Sequence, residues 1–132
     1  MVTAPKANTT ESPLVLVVDD DASVASSTGR LIRSLGMRAE AFFSGEDLLN
    51  SGRAAVASCL ILDVRMPNMN GIELQRRLYE IRPRVPVIFL SAHASKEEEE
   101  RALRAGAMAF LRKPVDRATL LGIIQIALEG TS

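Results

Sequence analysis

Short continuous apolar runs alternate along this chain with segments whose apolar residues recur every three or four positions. The runs are Leu14-Val15-Leu16-Val17-Val18, Cys59-Leu60-Ile61-Leu62, Val87-Ile88-Phe89-Leu90 and Met108-Ala109-Phe110-Leu111, with a weaker one over Met37 to Phe43. Unbroken runs of this length are the mark of strands covered on both faces, as in a parallel sheet with helices above and below. Between them, Val24, Leu31, Ile32 and Leu35 stand at helical spacing and Gly36 is a stop signal. Ser44, with Asp47 three residues on, opens a short helix in the manner of a capping box, and that helix ends near Gly52. Asn70 opens a helix carrying Ile72, Leu74, Leu78 and Ile81, closed by Pro83 and Pro86. Ser95 caps a helix reaching Ala105-Gly106, and Asp116 caps the last, from Arg117 to about Leu128. Five strand-then-helix units with right-handed crossovers predict a single doubly wound α/β domain, (βα)5, over residues 13–130, preceded by a flexible tail over 1–12.

Composition narrows the classes. The chain has 132 residues, 47% hydrophobic and 24% charged, enough for one core and ordinary for a globular domain. Sixteen basic residues balance sixteen acidic ones, so nothing electrostatic favours nucleic-acid binding by this domain. No apolar stretch is long enough to cross a bilayer, and residues 1 to 12 lack the apolar core of a secretory signal. One cysteine, Cys59, cannot form an internal disulfide, which fits a reducing, cytoplasmic setting. It opens a buried strand and reads as an inert core thiol.

Polar groups stand where the apolar runs end. The first run ends on Asp19-Asp20-Asp21, the third on Asp63, the fourth on Ser91 and the fifth on Lys113-Pro114. In a parallel sheet all carboxyl ends share one edge, where ligands bind. In the flavodoxin-like parallel sheet order 2-1-3-4-5, strand 3 is central, with the aspartates of strand 1 on one side and Ser91 on the other. Neighbouring strands lie about 4.8 Å apart, so these groups crowd Asp63, and the long stem of Lys113 spans the remaining gap.

Carboxylates this close repel one another, and a hard divalent cation with an ammonium would relieve them. Mg²⁺ binds through one or two carboxylates plus phosphate oxygens. Asp20 and Asp63 suit direct ligation and Asp19 ligation through a water. The arrangement suits phosphoryl transfer onto a carboxylate, with Asp63 as nucleophile, Lys113 neutralising charge and Ser91 hydrogen-bonding a phosphoryl oxygen. The Lys113-Pro114 bond is a candidate for the cis form.

The residues Val17-Val18-Asp19-Asp20-Asp21, Leu62-Asp63-Val64-Arg65-Met66-Pro67, Asn70-Gly71, Ser91-Ala92 and Lys113-Pro114 resemble the receiver domain of two-component response regulators. The resemblance covers Leu14 to about Leu128. Asp63-Val64-Arg65-Met66-Pro67 and Gln75-Arg76-Arg77-Leu78 resemble the subgroup that usually carries a helix-turn-helix output domain and regulates transcription. These 132 residues hold no such domain. The resemblance implies that Asp63 is the phosphoacceptor, that Asp19 and Asp20 are its acidic pair, and that the Arg65 backbone carbonyl is a third protein ligand to Mg²⁺. It implies a switch pair, Ser91 and Phe110, although Phe110 lacks the phenol of members with Tyr there. It implies that the side chains of Arg65 and His93 tune the lifetime of the phosphoryl group. The implied partner is a sensor histidine kinase, with a homodimer through helix 4, strand 5 and helix 5.

Other readings stand beside this one. A Mg²⁺-dependent hydrolase with an aspartate nucleophile would also use Asp63, but such enzymes usually place an aspartate two residues on, where Arg65 stands. A nucleotide-binding module lacks its glycine-rich loop after strand 1. Asp21 reads as a helix cap, His93 as a solvent-exposed loop residue, and Phe110, judged alone, as core. The acidic run Glu97 to Glu100 reads as a helix first turn, with Glu97–Arg101 and Glu100–Arg104 as i,i+4 pairs. The last helix has more apolar surface than one stripe needs, with Ile126 outside it, which points to a second surface.

Overall fold

The computed structural model describes residues 12–129. The expected tail falls, apart from Ser12, outside those residues, as does Gly130 at the expected end of the domain. Five strands form one parallel sheet: β1 (Leu14–Val18), β2 (Arg38–Phe42), β3 (Cys59–Leu62), β4 (Val87–Ser91) and β5 (Ala109–Arg112). Their order is β2-β1-β3-β4-β5, the flavodoxin-like arrangement. Five α-helices connect or follow them: α1 (Ala22–Arg33), α2 (Gly45–Ser51), α3 (Gly71–Ile81), α4 (Lys96–Arg104) and α5 (Arg117–Glu129). A 3-10 turn over Arg53–Val56, which no periodicity announces, links α2 to β3.

Alternate residues of each strand serve opposite faces of the sheet. Leu14, Leu16, Val18, Leu60, Leu62, Val87 and Phe89 pack against α2, α3 and α4 through Leu48, Leu74, Leu78 and Ala102. Val15, Val17, Cys59, Ile61, Ile88 and Leu90 pack against α1 and α5 through Ala25, Ile32, Leu120, Ile124 and Ala127. Every residue of β1, β3 and β4 is buried, which is why these strands read as unbroken apolar runs. β5 lies on the edge and is only half-buried. It begins one residue later than the sequence suggests and runs on through Arg112, which pairs in register with Ser91.

The caps follow the sequence. Asp21 accepts from the Ser23 and Val24 N–H groups, Asn70 from Ile72 and Glu73, and Asp116 from Thr119. Ser95 and Glu98 close a reciprocal capping box on α4. Gly36 and Gly52 take positive φ, +91° and +75°, at helix ends where a side chain would be strained. Leu35 and Ile81, expected on apolar stripes, are exposed instead. Each stands at or beyond the end of its helix, past the last turn that reaches the sheet.

Candidate functional site

Asp19 and Asp63 each follow the last residue of a strand, and those residues, Val18 and Leu62, are register partners on β1 and β3. The ladder runs on past both strands. The Asp19 N–H donates to the Phe42 carbonyl at 3.1 Å and the Asp63 N–H to the Val18 carbonyl at 3.0 Å. Both side chains are therefore set by sheet geometry. Asp19 is 4% exposed and Asp63 8% exposed, whereas Asp20 faces solvent. One carboxylate oxygen from each of the three lies within 4.8 Å of the others.

The three carboxylates are held differently. Asp19 Oδ1 accepts from the Asp21 N–H at 2.9 Å, and its Oδ2 accepts from Lys113 Nζ at 2.7 Å. Lys113 Nζ lies 3.9 Å from Asp63 Oδ2. Asp63 Oδ1 is buried with no hydrogen-bond partner, and so is Ser91 Oγ. Burial pushes the Asp63 carboxyl above the ordinary aspartate range. The Ser91 hydroxyl pulls the other way, although it closes no aligned hydrogen bond; Asp19 adds to the rise and Lys113 opposes it. A buried, half-satisfied anion beside an ammonium is primed to exchange its remaining contacts for an electrophile or a cation.

Lys113 reaches this edge from the turn after β5, where its N–H donates to the Ser91 carbonyl at 3.0 Å. The Lys113-Pro114 bond is cis, as the sequence suggested. Phe110 stacks on Phe89, with ring centroids 5.5 Å apart and planes 22° apart. His93 is exposed in the β4–α4 loop. Arg65, two residues beyond Asp63, is exposed, and its Nη2 meets Glu98 Oε1 at 2.9 Å. Asp19, Asp20, Asp63, Ser91 and Lys113 thus share one edge of the sheet. Phe110 is half-buried on β5 against Phe89, and Arg65 and His93 are exposed in the loops that follow β3 and β4.

Two features escape the sequence reading. Gly71 lies so close to the Asp63 carbonyl oxygen and the Phe89 ring that no side chain fits at that position. Arg112 is tied to the β4–α4 loop and to α4, with Nη1 on the Ala94 carbonyl and Nη2 on Glu99 Oε1, both at 2.7 Å. The acidic run of α4 departs from expectation accordingly. Its ion pairs are the tertiary contacts Glu98–Arg65 and Glu99–Arg112, and neither Glu97–Arg101 nor Glu100–Arg104 is among the pairs found in the described residues. Cys59 is buried, and burial pushes its thiol up to about 12, as fits an inert core residue. Among the described residues no helix is long and apolar enough to cross a membrane.

A flavodoxin-like (βα)5 sheet with three carboxylates and a lysine gathered at its carboxyl edge defines a class of single-domain α/β proteins with a polar switch-point site. The chain belongs to the response regulator receiver domain family, whose family model matches residues 15–125. It is 41% identical over 119 residues to the response regulator protein TmoT of Ectopseudomonas mendocina, covering 90% of this chain and 54% of that protein. It is 39% identical over 114 residues to the transcriptional regulatory protein TdiR of Thauera aromatica, covering 86% of this chain and 50% of that one. Among solved structures it resembles the BeF3-activated DrrB receiver domain, with a TM-score of 0.82, 30% identity and coverage of 89% and 98% of the two chains. The chain spans about half the length of these curated relatives. Members of this family are regulatory domains of signalling systems, and the relatives are named as regulators.

Proposed function

We propose that Asp63 accepts a phosphoryl group from a phosphohistidine of a sensor histidine kinase and that the modified chain acts as a conformational switch. The observation that carries this reading is the Asp63 side chain itself. It is a buried carboxylate just past the end of the central strand, with Oδ1 unpartnered and Oδ2 facing Lys113. In the transfer an Asp63 oxygen attacks phosphorus, the P–N bond to the donor imidazole breaks, and the imidazole, protonated on its other ring nitrogen, leaves neutral with the electron pair. Lys113 lies where it would offset charge on the phosphoryl oxygens, and Ser91 Oγ is a donor free to bond one of them.

The donor set fits Mg²⁺. Three carboxylates converge within 4.8 Å, one ammonium serves them, and a buried oxygen is left over. Asp20 and Asp63 with the Arg65 carbonyl would hold the ion. Asp19, whose oxygens already serve the Asp21 N–H and Lys113, would act through a water. Bound there, Mg²⁺ supplies positive charge to the phosphoryl oxygens.

Ser91 and Phe110 would form the switch pair, and exposed Leu103 and Ile126 on α4 and α5 offer apolar surface for a homodimer through α4, β5 and α5. In a longer protein like its relatives, this switch would govern an output domain acting on transcription. The hydrolase reading is weaker, because Arg65 stands where a general acid would be needed and is paired with Glu98. Acetyl phosphate with Mg²⁺ tests the proposal by intact mass. One phosphoryl group per chain, lost in Asp63→Asn, is expected; catalytic turnover of a phosphate ester without stable labelling would replace the switch with a hydrolase.

A further inference from the structure

Two neighbouring glutamates in the first turn of α4 are drawn to opposite sides of the proposed phosphorylation site. Glu98 meets Arg65, two residues after Asp63, and Glu99 meets Arg112, one residue before Lys113. The second tie does more than pair charges. The Arg112 guanidinium donates to the Ala94 carbonyl and to Glu99, and its Cζ lies 5.4 Å from the centroid of the Phe110 ring. Ala94 is three residues after Ser91, and Arg112 is the register partner of Ser91. One side chain therefore touches the loop that leaves the serine, the aromatic ring and the helix. Only arginine has a planar fork that serves two acceptors while lying against a ring.

We infer that Arg112 is a positioning residue that latches α4 and Phe110 in the form where the Ser91 hydroxyl closes no hydrogen bond. This rests on the reading of Asp63 as phosphoacceptor. The Arg112 contacts coexist with a Ser91 Oγ that makes no hydrogen bond, so they belong to that form. When Ser91 turns toward a phosphoryl group on Asp63, the segment from Ala92 to Ser95 is drawn with it. The Ala94 carbonyl then leaves the guanidinium. Losing that bond frees Arg112 from Glu99 and uncovers the Phe110 ring, so events at the buried acid reach the surface of α4. The Arg65–Glu98 pair ties the same turn to the other side of the site, which leaves Arg112 as the tie that runs through the serine loop and the ring.

A latch on one form opposes any ligand that prefers the other, and its removal raises that ligand's affinity by the same factor. The 132-residue chain would be titrated with beryllofluoride and Mg²⁺, following amide resonances of α4, for wild type, Arg112→Ala, Arg112→Lys and Glu99→Gln. Half-saturation of Arg112→Ala and Glu99→Gln is expected at a concentration about three- to tenfold lower than wild type, the scale of one partly exposed charge pair with its backbone bond. Arg112→Lys, which keeps the charge and loses the fork, should fall between. Amide exchange at residues 96–99 of unliganded Arg112→Ala should be faster than in wild type, with the sheet unchanged. A merely structural role would lower stability without shifting the titration. Half-saturation of both Arg112→Ala and Glu99→Gln at the wild-type concentration, or weaker binding, overturns the inference. If wild type takes up no beryllofluoride at all, the phosphoacceptor reading fails instead; the exchange comparison then decides alone, and unchanged protection of α4 in Arg112→Ala sinks the latch.

Discussion

Gly71 abuts the backbone carbonyl of Asp63 so closely that a Cβ on residue 71 would overlap that oxygen and come within 2.9 Å of the Phe89 ring. The Gly71 N–H donates to the Val64 carbonyl at 2.9 Å, so the start of α3 is bonded to the segment it presses against. Neither the oxygen, fixed on the central strand, nor the buried ring has room to move. Gly71→Ala is expected to destabilise the domain by about 1–3 kcal/mol, the usual cost of overpacking. It should also slow acetyl phosphate labelling, because the displaced peptide carries Asp63. Urea unfolding and intact-mass kinetics measure the two effects, and a variant with wild-type values in both would show that the contact relaxes freely.

Asp63 gives a pH signature with a definite sign. Burial raises its folded value above the ordinary 3.8, so ionising it costs more in the folded chain than in the unfolded one. Its contribution is fully present below that value and is lost as pH rises through the higher folded value. Asp63→Asn removes the ionisation and keeps the shape. The variant is expected to be the more stable at neutral pH, with the difference shrinking toward zero as pH falls below about 3.8. Added Mg²⁺ should narrow the gap at neutral pH by stabilising wild type alone. Urea midpoints across this range check it; a constant difference at all pH values would mean the carboxylate is not strained by burial.

Much of this arrangement was legible in the sequence because the sheet is buried on both faces. β1 and β3, and β4 as far as Leu90, had to be apolar, so the first polar residue after each run marked the edge where Asp19, Asp63 and Ser91 stand. The helix starts were legible for a different reason, since Asp21, Asn70, Ser95 and Asp116 bond their own neighbours in the chain. What stayed hidden was tertiary. The partners of Glu98 and Glu99 are 33 and 13 residues away, whereas local spacing pointed only to Glu97 with Arg101 and Glu100 with Arg104. The turn over Arg53–Val56 is held in place by Ala54 and Ala57, too small to print a period. The crowding at Gly71 arises from a strand eight residues earlier and a ring on β4, neither of which marks the glycine itself.

Among the described residues Lys113 is the only cation bonded to Asp19, and that carboxylate is almost wholly inaccessible. Lys113→Met would leave it with the Asp21 N–H alone. A loss of about 2 kcal/mol is expected, below the full cost of orphaning a buried charge because the lysine side chain is partly exposed. Asp19→Asn added to Lys113→Met should recover part of the loss, since no unpaired charge then remains. A single variant as stable as wild type in urea would mean that solvent already serves Asp19.

Cys59 opens β3 inside the core, and burial pushes its thiol up to about 12. The reactive form is the thiolate, so it should be absent and inaccessible in the native chain. Native protein at pH 8 is expected to resist a maleimide for hours and to react fully once unfolded in urea. Fast native labelling would mean that the β1–β3–β4 core opens readily.

Arg65 and His93 stand two residues after Asp63 and two after Ser91 and are both exposed, so neither is part of the core. An acyl phosphate on Asp63 is lost when water reaches phosphorus in line with the Asp63 oxygen, and the role proposed for the two side chains is to crowd that approach. Truncation should therefore change the decay of the phosphoryl group without changing stability. Arg65→Ala has a second consequence, because it also releases Glu98 from the β3–α3 loop. Each variant is expected to shift the dephosphorylation rate about two- to tenfold, the range of a partial steric or electrostatic screen near about 1 kcal/mol. The decay of the labelled species, followed by mass after removal of acetyl phosphate, measures it. Arg65→Ala and Glu98→Gln changing the rate alike would assign the effect to the ion pair, and no change in Arg65→Ala or His93→Ala would end the lifetime role of both side chains.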